Sequence, residues 1–291
     1  MYPDLHRHLD GSLRPATVVD LAARRGLAVP ADLPFHAGMG LEAALARFAF
    51  TVSLLRDLDA IRRVASEICE DAASEGVTTL EIRFAPQIHG PPVPEVVDAA
   101  LDGIAGRAGL LLCGLYGEDP VVLSGLVAVA RSRPGVVGID VAGGPAPGHR
   151  HGLADCQGPC LAARDAGLGV TIHAGEGRPA AEIALAIEVL GARRIGHGTT
   201  ILGDERVVSL ALERGVTLEA CPTSNVHTGV VDSVGSHPLK AWIARGLRCC
   251  VNTDNTLLSA VTSPVEHARC QLSASELSHV LACGHAAAFD R

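Results

Sequence analysis

The sequence predicts an α/β protein built as a (β/α)8 TIM barrel, with residues 1–291 forming one domain. Three observations carry this. From Gly76 onward, short apolar runs rich in Val, Ile and Leu alternate with stretches of helical period, as parallel strands joined by helical crossovers do. With the run at the start of the chain there are eight such units in 291 residues, and a closed eight-stranded barrel takes about 250. Histidines and carboxylates stand where these runs end, and a barrel gathers its strand ends into one cup. An open doubly wound sheet is the alternative, but no Gly-rich phosphate loop opens a helix here.

The first strand lies in Pro3-Asp4-Leu5-His6-Arg7-His8-Leu9-Asp10-Gly11, whose period of two places His6, His8 and Asp10 on one face. Ser12 to Arg25 reads as a helix: Pro15 suits its first turn, Val18, Val19, Leu21 and Ala22 form an apolar stripe, and Gly26 caps it. Residues 27–40, rich in Pro and Gly, read as loop. Helices are expected over Leu41 to Leu55 and Asp59 to Glu75, the second with Ile61, Val64, Ala65, Ile68 and Ala72 at helical spacing. Phe48 and Phe50 fit either the core or an entrance wall. Strands follow at Val77 to Pro86, Gly109 to Tyr116, Gly135 to Gly143, Gly169 to Glu176, Arg194 to Gly198, Gly215 to Pro222 and Gly246 to Asp254. Between them, Pro120 to Ser132, Leu161 to Ala166, Ala180 to Leu190, Asp204 to Arg214 and Pro238 to Arg245 have helical period.

Composition narrows the function classes. Hydrophobic residues at 48% and charged ones at 19% describe a globular chain and exclude disorder or a coiled coil. A net charge of -8 and 3% aromatics argue against a nucleic-acid partner, which would need basic patches and stacking platforms. No apolar run is long enough to span a bilayer, so no membrane role is expected. Nine cysteines are an odd number, and Met1 is not followed by a basic and then apolar leader, so reduced thiols in a cytoplasmic protein are expected. Cys156 and Cys160 read as free thiols in a loop, since no second pair answers them.

In the cup of such a barrel, the first strand supplies His6 and His8 with Asp10 just beyond, and the fourth ends in Gly143-Gly144. The fifth brings His173 and Glu176, the sixth His197, the seventh Asn225 and His227 a little past Pro222, and the eighth Asp254-Asn255. A lone His-x-x-Glu is a weak signal, because a buried histidine bonded to a carbonyl looks the same; repetition at several strand ends is what makes a site. Three histidines and one carboxylate form a mononuclear zinc site with room for a water, whose pKa zinc lowers from 15.7 to about 7. Asp254 can hydrogen-bond that water while ligating, His197 can take a proton or hold the hydroxide, and Glu176 can donate a proton to substrate. Lys240 is the only lysine, which removes lysine ion pairs for these acids and any binuclear site bridged by a modified lysine. His227, His237 and His267 are left without a role.

Six segments, in order along nearly the whole chain, resemble the adenosine deaminase family of the amidohydrolase barrels. They are His6-Arg7-His8-Leu9-Asp10-Gly11-Ser12-Leu13, Asp140-Val141-Ala142-Gly143, His173-Ala174-Gly175-Glu176, Ile195-Gly196-His197-Gly198, Cys221-Pro222-Thr223-Ser224-Asn225 and Asn252-Thr253-Asp254-Asn255. The resemblance implies one zinc ion per subunit on His6, His8, His173 and Asp254, with His8 also at the substrate edge. It implies Glu176 protonating purine N1, His197 assisting attack at C6, the Gly143 backbone near N3 and Asp10 on a sugar hydroxyl. Asn255 stands where the family often has a second aspartate touching N7, and its amide can donate there at any pH. The implied reaction is hydrolytic deamination of adenosine or deoxyadenosine to inosine or deoxyinosine, with release of ammonia. A modified nucleoside such as aminodeoxyfutalosine, or free adenine, is the alternative; relatives acting on free adenine have Glu-Gly-Thr where this chain has Asp10-Gly11-Ser12.

Two departures bear on the substrate. Asn255 is one; the other is that the chain looks short for the family between residues 87 and 120 and after 260, as if covering helices were trimmed. That leaves either a more open pocket or a cover supplied by another subunit of a homo-oligomer. A cytidine-deaminase fold is excluded by the missing His-x-Glu and Pro-Cys-x-x-Cys signature. Hydrolysis of a cyclic amide or ester would use the same metal water, but the segments at Asp140 and Asp254 speak for the deaminases. A non-catalytic purine-binding homologue is the non-enzyme alternative, set against the fact that every catalytic position is filled.

Overall fold

The eight apolar runs form one parallel sheet in a computed structural model that describes residues 1–290; position 291 of the predicted span lies outside them. The strands are β1 (Tyr2–His8), β2 (Val77–Phe84), β3 (Gly109–Leu115), β4 (Val136–Ala142), β5 (Gly169–Ala174), β6 (Arg194–His197), β7 (Thr217–Ala220) and β8 (Arg248–Val251). Each pairs with the next in sequence. The sheet closes where β1 meets the segment after β8: His8 N–H donates to the Asp254 carbonyl and Asp254 N–H to the His6 carbonyl, both at 2.8 Å. This is the predicted (β/α)8 barrel.

The helices are α1 (Pro15–Arg24), α2 (Leu41–Leu54), α3 (Leu58–Ser74), α4 (Val93–Ile104), α5 (Pro120–Arg131), α6 (Gln157–Asp165), α7 (Ala180–Glu188), α8 (Glu205–Arg214), α9 (Pro222–His227), α10 (Leu239–Ala244), α11 (Ser263–Arg269) and α12 (Ala274–Ala287). The stripe predicted on α3 is buried, and Asp57 caps that helix by accepting from Ala60 N–H. The stretch that looks trimmed between residues 87 and 120 still holds a full crossover, α4, packed on α3 so closely that a Cβ on Gly103 would lie 2.2 Å from the Arg62 carbonyl. Beyond residue 260, α11 and α12 complete the outer ring.

Three expectations are corrected. α6 begins at Gln157, so Cys160 lies in a helix and Cys156 ends the 3-10 turn before it; both thiols are free and buried, and neither belongs to a loop pair. The first helix starts at Pro15 rather than Ser12, because proline has no N–H to lose in the first turn. Strands β6, β7 and β8 have four residues each, shorter than the runs that contain them. β6 ends at His197, whose φ is left-handed at 65°, and β7 ends just before Pro222 opens a helix.

The N-terminal mouth of the barrel is sealed by Phe289. A Cβ on Gly169 would lie 2.2 Å from its ring and one on Gly138 2.9 Å away, so only glycine fits there on β4 and β5. The Arg194 guanidinium lies over the same ring at 3.7 Å. Above it runs a fully buried lattice of charge: Arg194 pairs with Glu81 and, at 2.7 Å, with Glu219; Arg83 pairs with Glu219 at 2.9 Å and with Asp140 at 2.8 Å. Leu, Ile and Val side chains between sheet and helices make up the rest of the core.

Candidate active site

The C-terminal ends of β1, β5 and β8 converge. His6 and His8 stand two residues apart on β1 and share its inner face. Nε2 of His173 lies 3.1 Å from Nε2 of His6 and 3.3 Å from Nε2 of His8. Oδ1 of Asp254 is 3.4 Å from His8 Nε2 and 3.7 Å from His6 Nε2. The outer nitrogens face carboxylates: His6 Nδ1 donates to Glu219 Oε2 at 2.8 Å, and His173 Nδ1 is 2.9 Å from Asp140 Oδ2. With protons held at Nδ1 of His6 and His173, the Nε2 lone pairs of both are turned into the space beside His8 Nε2. Two nitrogens about 2.0–2.1 Å from one tetrahedral zinc stand about 3.4 Å apart, so the observed spacing fits zinc. Burial, with the Arg83 guanidinium nearby, pushes His6 and His8 well below the usual imidazole range, so both are neutral and able to ligate.

The carboxylates behind these ligands were only half visible in the sequence. Asp140 lies in a segment singled out above, but Glu219 does not. The signal for Glu219 is a charge at the centre of the apolar run Val216-Thr217-Leu218-Glu219-Ala220, where only a buried partner makes sense. Its partners are Arg83, Arg194, His6 and the hydroxyl of Thr171 at 2.9 Å. Burial alone raises the Asp140 carboxyl, but His173 and Arg83 outweigh it and hold the group well below the usual range.

On the other side of the cup stand Glu176 and His197. Glu176 Oε1 accepts from Asn225 Nδ2 at 3.2 Å and from Thr228 Oγ1 at 3.0 Å, while Oε2 lies 3.8 Å from His197 Nε2. Burial raises the Glu176 and Asp254 carboxyls, His173 and Arg178 opposing it at the first and His197 at the second. Burial pushes His197 down to about 3. Among the described residues, two of the five non-glycine positions with positive φ are His197 and Asp254, a strained backbone held at the site itself.

A cavity of about 400 Å³ opens onto this cluster, within the range of small-molecule sites. His8, Asp10, Gly143, Glu176, His197, Asp254 and Asn255 line it, so the predicted site residues share one space, with His6 directly beneath. Gly143 has φ +82°, which favours glycine, and nothing lies within 4 Å of where its Cβ would be, leaving its backbone open. Asn255 turns Oδ1 over Gly11, which has no room for a side chain there. Asp10 Oδ1 is buried without a partner, and burial pushes that carboxyl up to about 7. The opposite wall is apolar: Phe35, Leu41, Phe48 and Val52 from the 27–40 loop and α2, with Ile88 and Leu115. Phe48 thus faces the cavity and Phe50 does not line it. α2 of this chain thus supplies much of that wall. Of the unassigned histidines, His227 packs on Phe35 and His267 Nδ1 bonds the Ser263 carbonyl, whereas His237 reaches Asn225.

Comparison with known proteins places this geometry. Residues 3–280 match the family model described as adenosine deaminase. An adenosine deaminase of Vibrio parahaemolyticus is 37% identical over 290 residues, covering 91% of this chain and 84% of its own. Among solved structures, the adenine deaminase of Arthrobacter aurescens superposes with a TM-score of 0.89 at 25% identity, over 100% of this chain and 95% of its own. An amidohydrolase of Burkholderia ambifaria solved with bound zinc has the same fold, with a TM-score of 0.87 at 23% identity, over 100% of this chain and 86% of its own.

Proposed function

Because the chain belongs to the adenosine deaminase family, we propose that it converts adenosine or 2'-deoxyadenosine hydrolytically to the 6-oxo nucleoside and ammonia. The observation that carries this is the convergence of His6 and His8 Nε2 within 3.3 Å of His173 Nε2, with a carboxylate, opposite a buried Glu176 whose carboxyl is raised. His6, His8, His173 and Asp254 would hold one zinc ion per subunit, and the zinc would supply, when bound, the acidity that lets water ionise near neutral pH.

The residues divide the remaining work. Oε1 of Glu176 is occupied by Asn225 and Thr228, so its proton sits on Oε2 and is delivered to purine N1. That makes C6 electrophilic. Asp254 takes one proton from the attacking water while His197 holds its oxygen, and the oxygen adds to C6. The C6–N bond then breaks, with the proton on Asp254 leaving on ammonia. The proton of the new C6 hydroxyl returns to Glu176, giving the 6-oxo product. Asp10, with its unpaired Oδ1, takes a sugar hydroxyl, the Gly143 backbone meets N3, and Asn255 meets N7.

A cavity of about 400 Å³ with a polar group at Asp10 suits a nucleoside better than a bare base. The test is the loss of ultraviolet absorbance on mixing the zinc-loaded protein with adenosine, 2'-deoxyadenosine or adenine. Rapid turnover of the nucleosides is expected, abolished by a chelator, with adenine inert. Turnover of adenine alone would overturn the nucleoside reading.

A further inference from the structure

His237 lies in the segment between α9 and α10, is nearly buried, and does not line the cavity. Its ring packs edge-on against Trp242 at 5.1 Å between centroids. The backbone N–H of Leu239 donates to its Nδ1 at 3.1 Å. A backbone N–H can only donate, so Nδ1 is the bare nitrogen and the ring proton is on Nε2. That Nε2–H donates to Oδ1 of Asn225 at 3.3 Å. An amide whose oxygen is engaged there must turn its NH2 the other way. Nδ2 of Asn225, fully buried, indeed faces Glu176 Oε1 at 3.2 Å and His197 Nδ1 at 3.1 Å.

The chain of donors runs in one direction only. Leu239 N–H fixes the His237 tautomer, His237 fixes the Asn225 amide, and the amide fixes two groups at once. His197 receives a hydrogen bond at Nδ1, so its own proton is on Nε2, the nitrogen 3.8 Å from Glu176 Oε2. With the amide reversed, its oxygen would confront Glu176 Oε1 and would hold a proton on His197 Nδ1 instead.

We propose that His237 is a positioning residue: without touching the cavity, it orients the Asn225 amide so that His197 presents Nε2–H to the attacking oxygen and Glu176 keeps Oε1 hydrogen-bonded. This rests on the deaminase reading for its consequence in catalysis, but the tautomer it assigns stands independently. His197 then acts as a donor that holds the oxygen, and not as a base that removes its proton. The residues that position the catalytic groups thereby include a histidine 40 positions from His197 in the chain, on a different βα unit.

Two variants and one spectrum test it, all on the zinc-loaded full chain. His237→Phe keeps an aromatic ring beside Trp242 but loses the donor; His237→Gln restores an N–H donor near the position of Nε2. With adenosine, His237→Phe should lower kcat by about 10- to 100-fold, as lost outer hydrogen bonds to active-site imidazoles do, with KM within about threefold and zinc content unchanged. His237→Gln should recover most of that loss. Nitrogen-15 spectra of the wild-type histidine rings, assigned with His197→Asn, should show His197 protonated at Nε2 and bare at Nδ1, and in His237→Phe a mixture. A wild-type His197 protonated at Nδ1 overturns the proposal, as does full kcat in His237→Phe. Should His237→Phe fail to fold, the wild-type spectrum and the activity of His237→Gln still decide it. Should the wild type leave adenosine untouched, the deaminase reading fails while the ring spectra continue to judge the tautomer.

Discussion

Two layers of the barrel both bury carboxylates and treat them in opposite ways. In the lower layer Glu81, Glu219 and Asp140 are at most 2% exposed, and each is salt-bridged to Arg83 or Arg194. In the upper layer Asp10, Glu176 and Asp254 are 5–8% exposed, and no arginine salt bridge reaches any of them among the described residues. The consequence is visible in their acidity: burial raises all three upper carboxyls, while Asp140 below is held low by His173 and Arg83 against burial. Depth alone does not decide whether a buried acid is scaffold or chemistry. The partner does, because a fixed cation stabilises the ionised form permanently, whereas its absence leaves the group free to exchange a proton.

The sharpest way to break this contrast is in the upper layer. Glu176→Gln keeps the acceptor for Asn225 and Thr228 but removes the transferable proton. Turnover should fall by about 10²- to 10⁴-fold with zinc content intact. Wild-type turnover in that variant would remove Glu176 from the mechanism. In the lower layer the corresponding change should act on stability. Arg194→Met fills similar volume but strands Glu81, while Glu219 keeps Arg83, and removing one partner of a buried pair costs about 3–5 kcal/mol. Urea denaturation should record that loss, while kcat per folded molecule stays within about threefold of wild type. A variant that is stable yet slow would show that the two layers are not separable.

A third buried carboxylate gives the smallest effect. Glu266 on α11 accepts from Thr223 N–H at 2.7 Å and from the Thr223 hydroxyl, with no arginine salt bridge among the described residues, and burial pushes it up to about 7. Its folded pKa exceeds the unfolded value of 4.5, so the native state holds this proton longer. The associated stability is present below about pH 4.5 and is lost as pH rises through about 7. Relative to Glu266→Gln, the wild type should lose about 1–3 kcal/mol between pH 4 and pH 8 in paired denaturation curves. Parallel curves for the two proteins would mean that Glu266 is ionised throughout.

The same contrast explains what could be seen in the sequence. His6, His8, His173, Glu176, His197 and Asp254 were visible because each interrupts or ends an apolar run, a signal carried by a few neighbouring residues. The barrel was visible because its rhythm repeats eight times. The partners were not. Glu219 matters because it meets His6 across 213 positions, and Arg83 because it meets both Glu219 and Asp140. Asn225 was quoted as part of a segment, but its direction is set by His237, and no periodicity encodes which way an amide faces. The ends of β6 to β8 were overestimated for a related reason: a left-handed residue such as His197 looks like any other until its backbone is drawn.

Barrel closure has a kinetic consequence. Leu5 N–H donates to the Asn252 side chain across 247 positions, and β1 joins the segment after β8 through His8 and Asp254. Contacts of such sequence separation are the slowest to form, because the loop they close is nearly the whole chain. During synthesis, β1 must wait, with one edge unpaired, until β8 has left the ribosome. His6, His8 and Asp254 come together in that same event. The proposed metal ligands would therefore assemble on closure of the ring, and a partly folded barrel would present only fragments of the set. Under the proposed function, zinc capture would mark completion of the fold, and an ion bound there would stabilise the closed ring selectively over every species that precedes it.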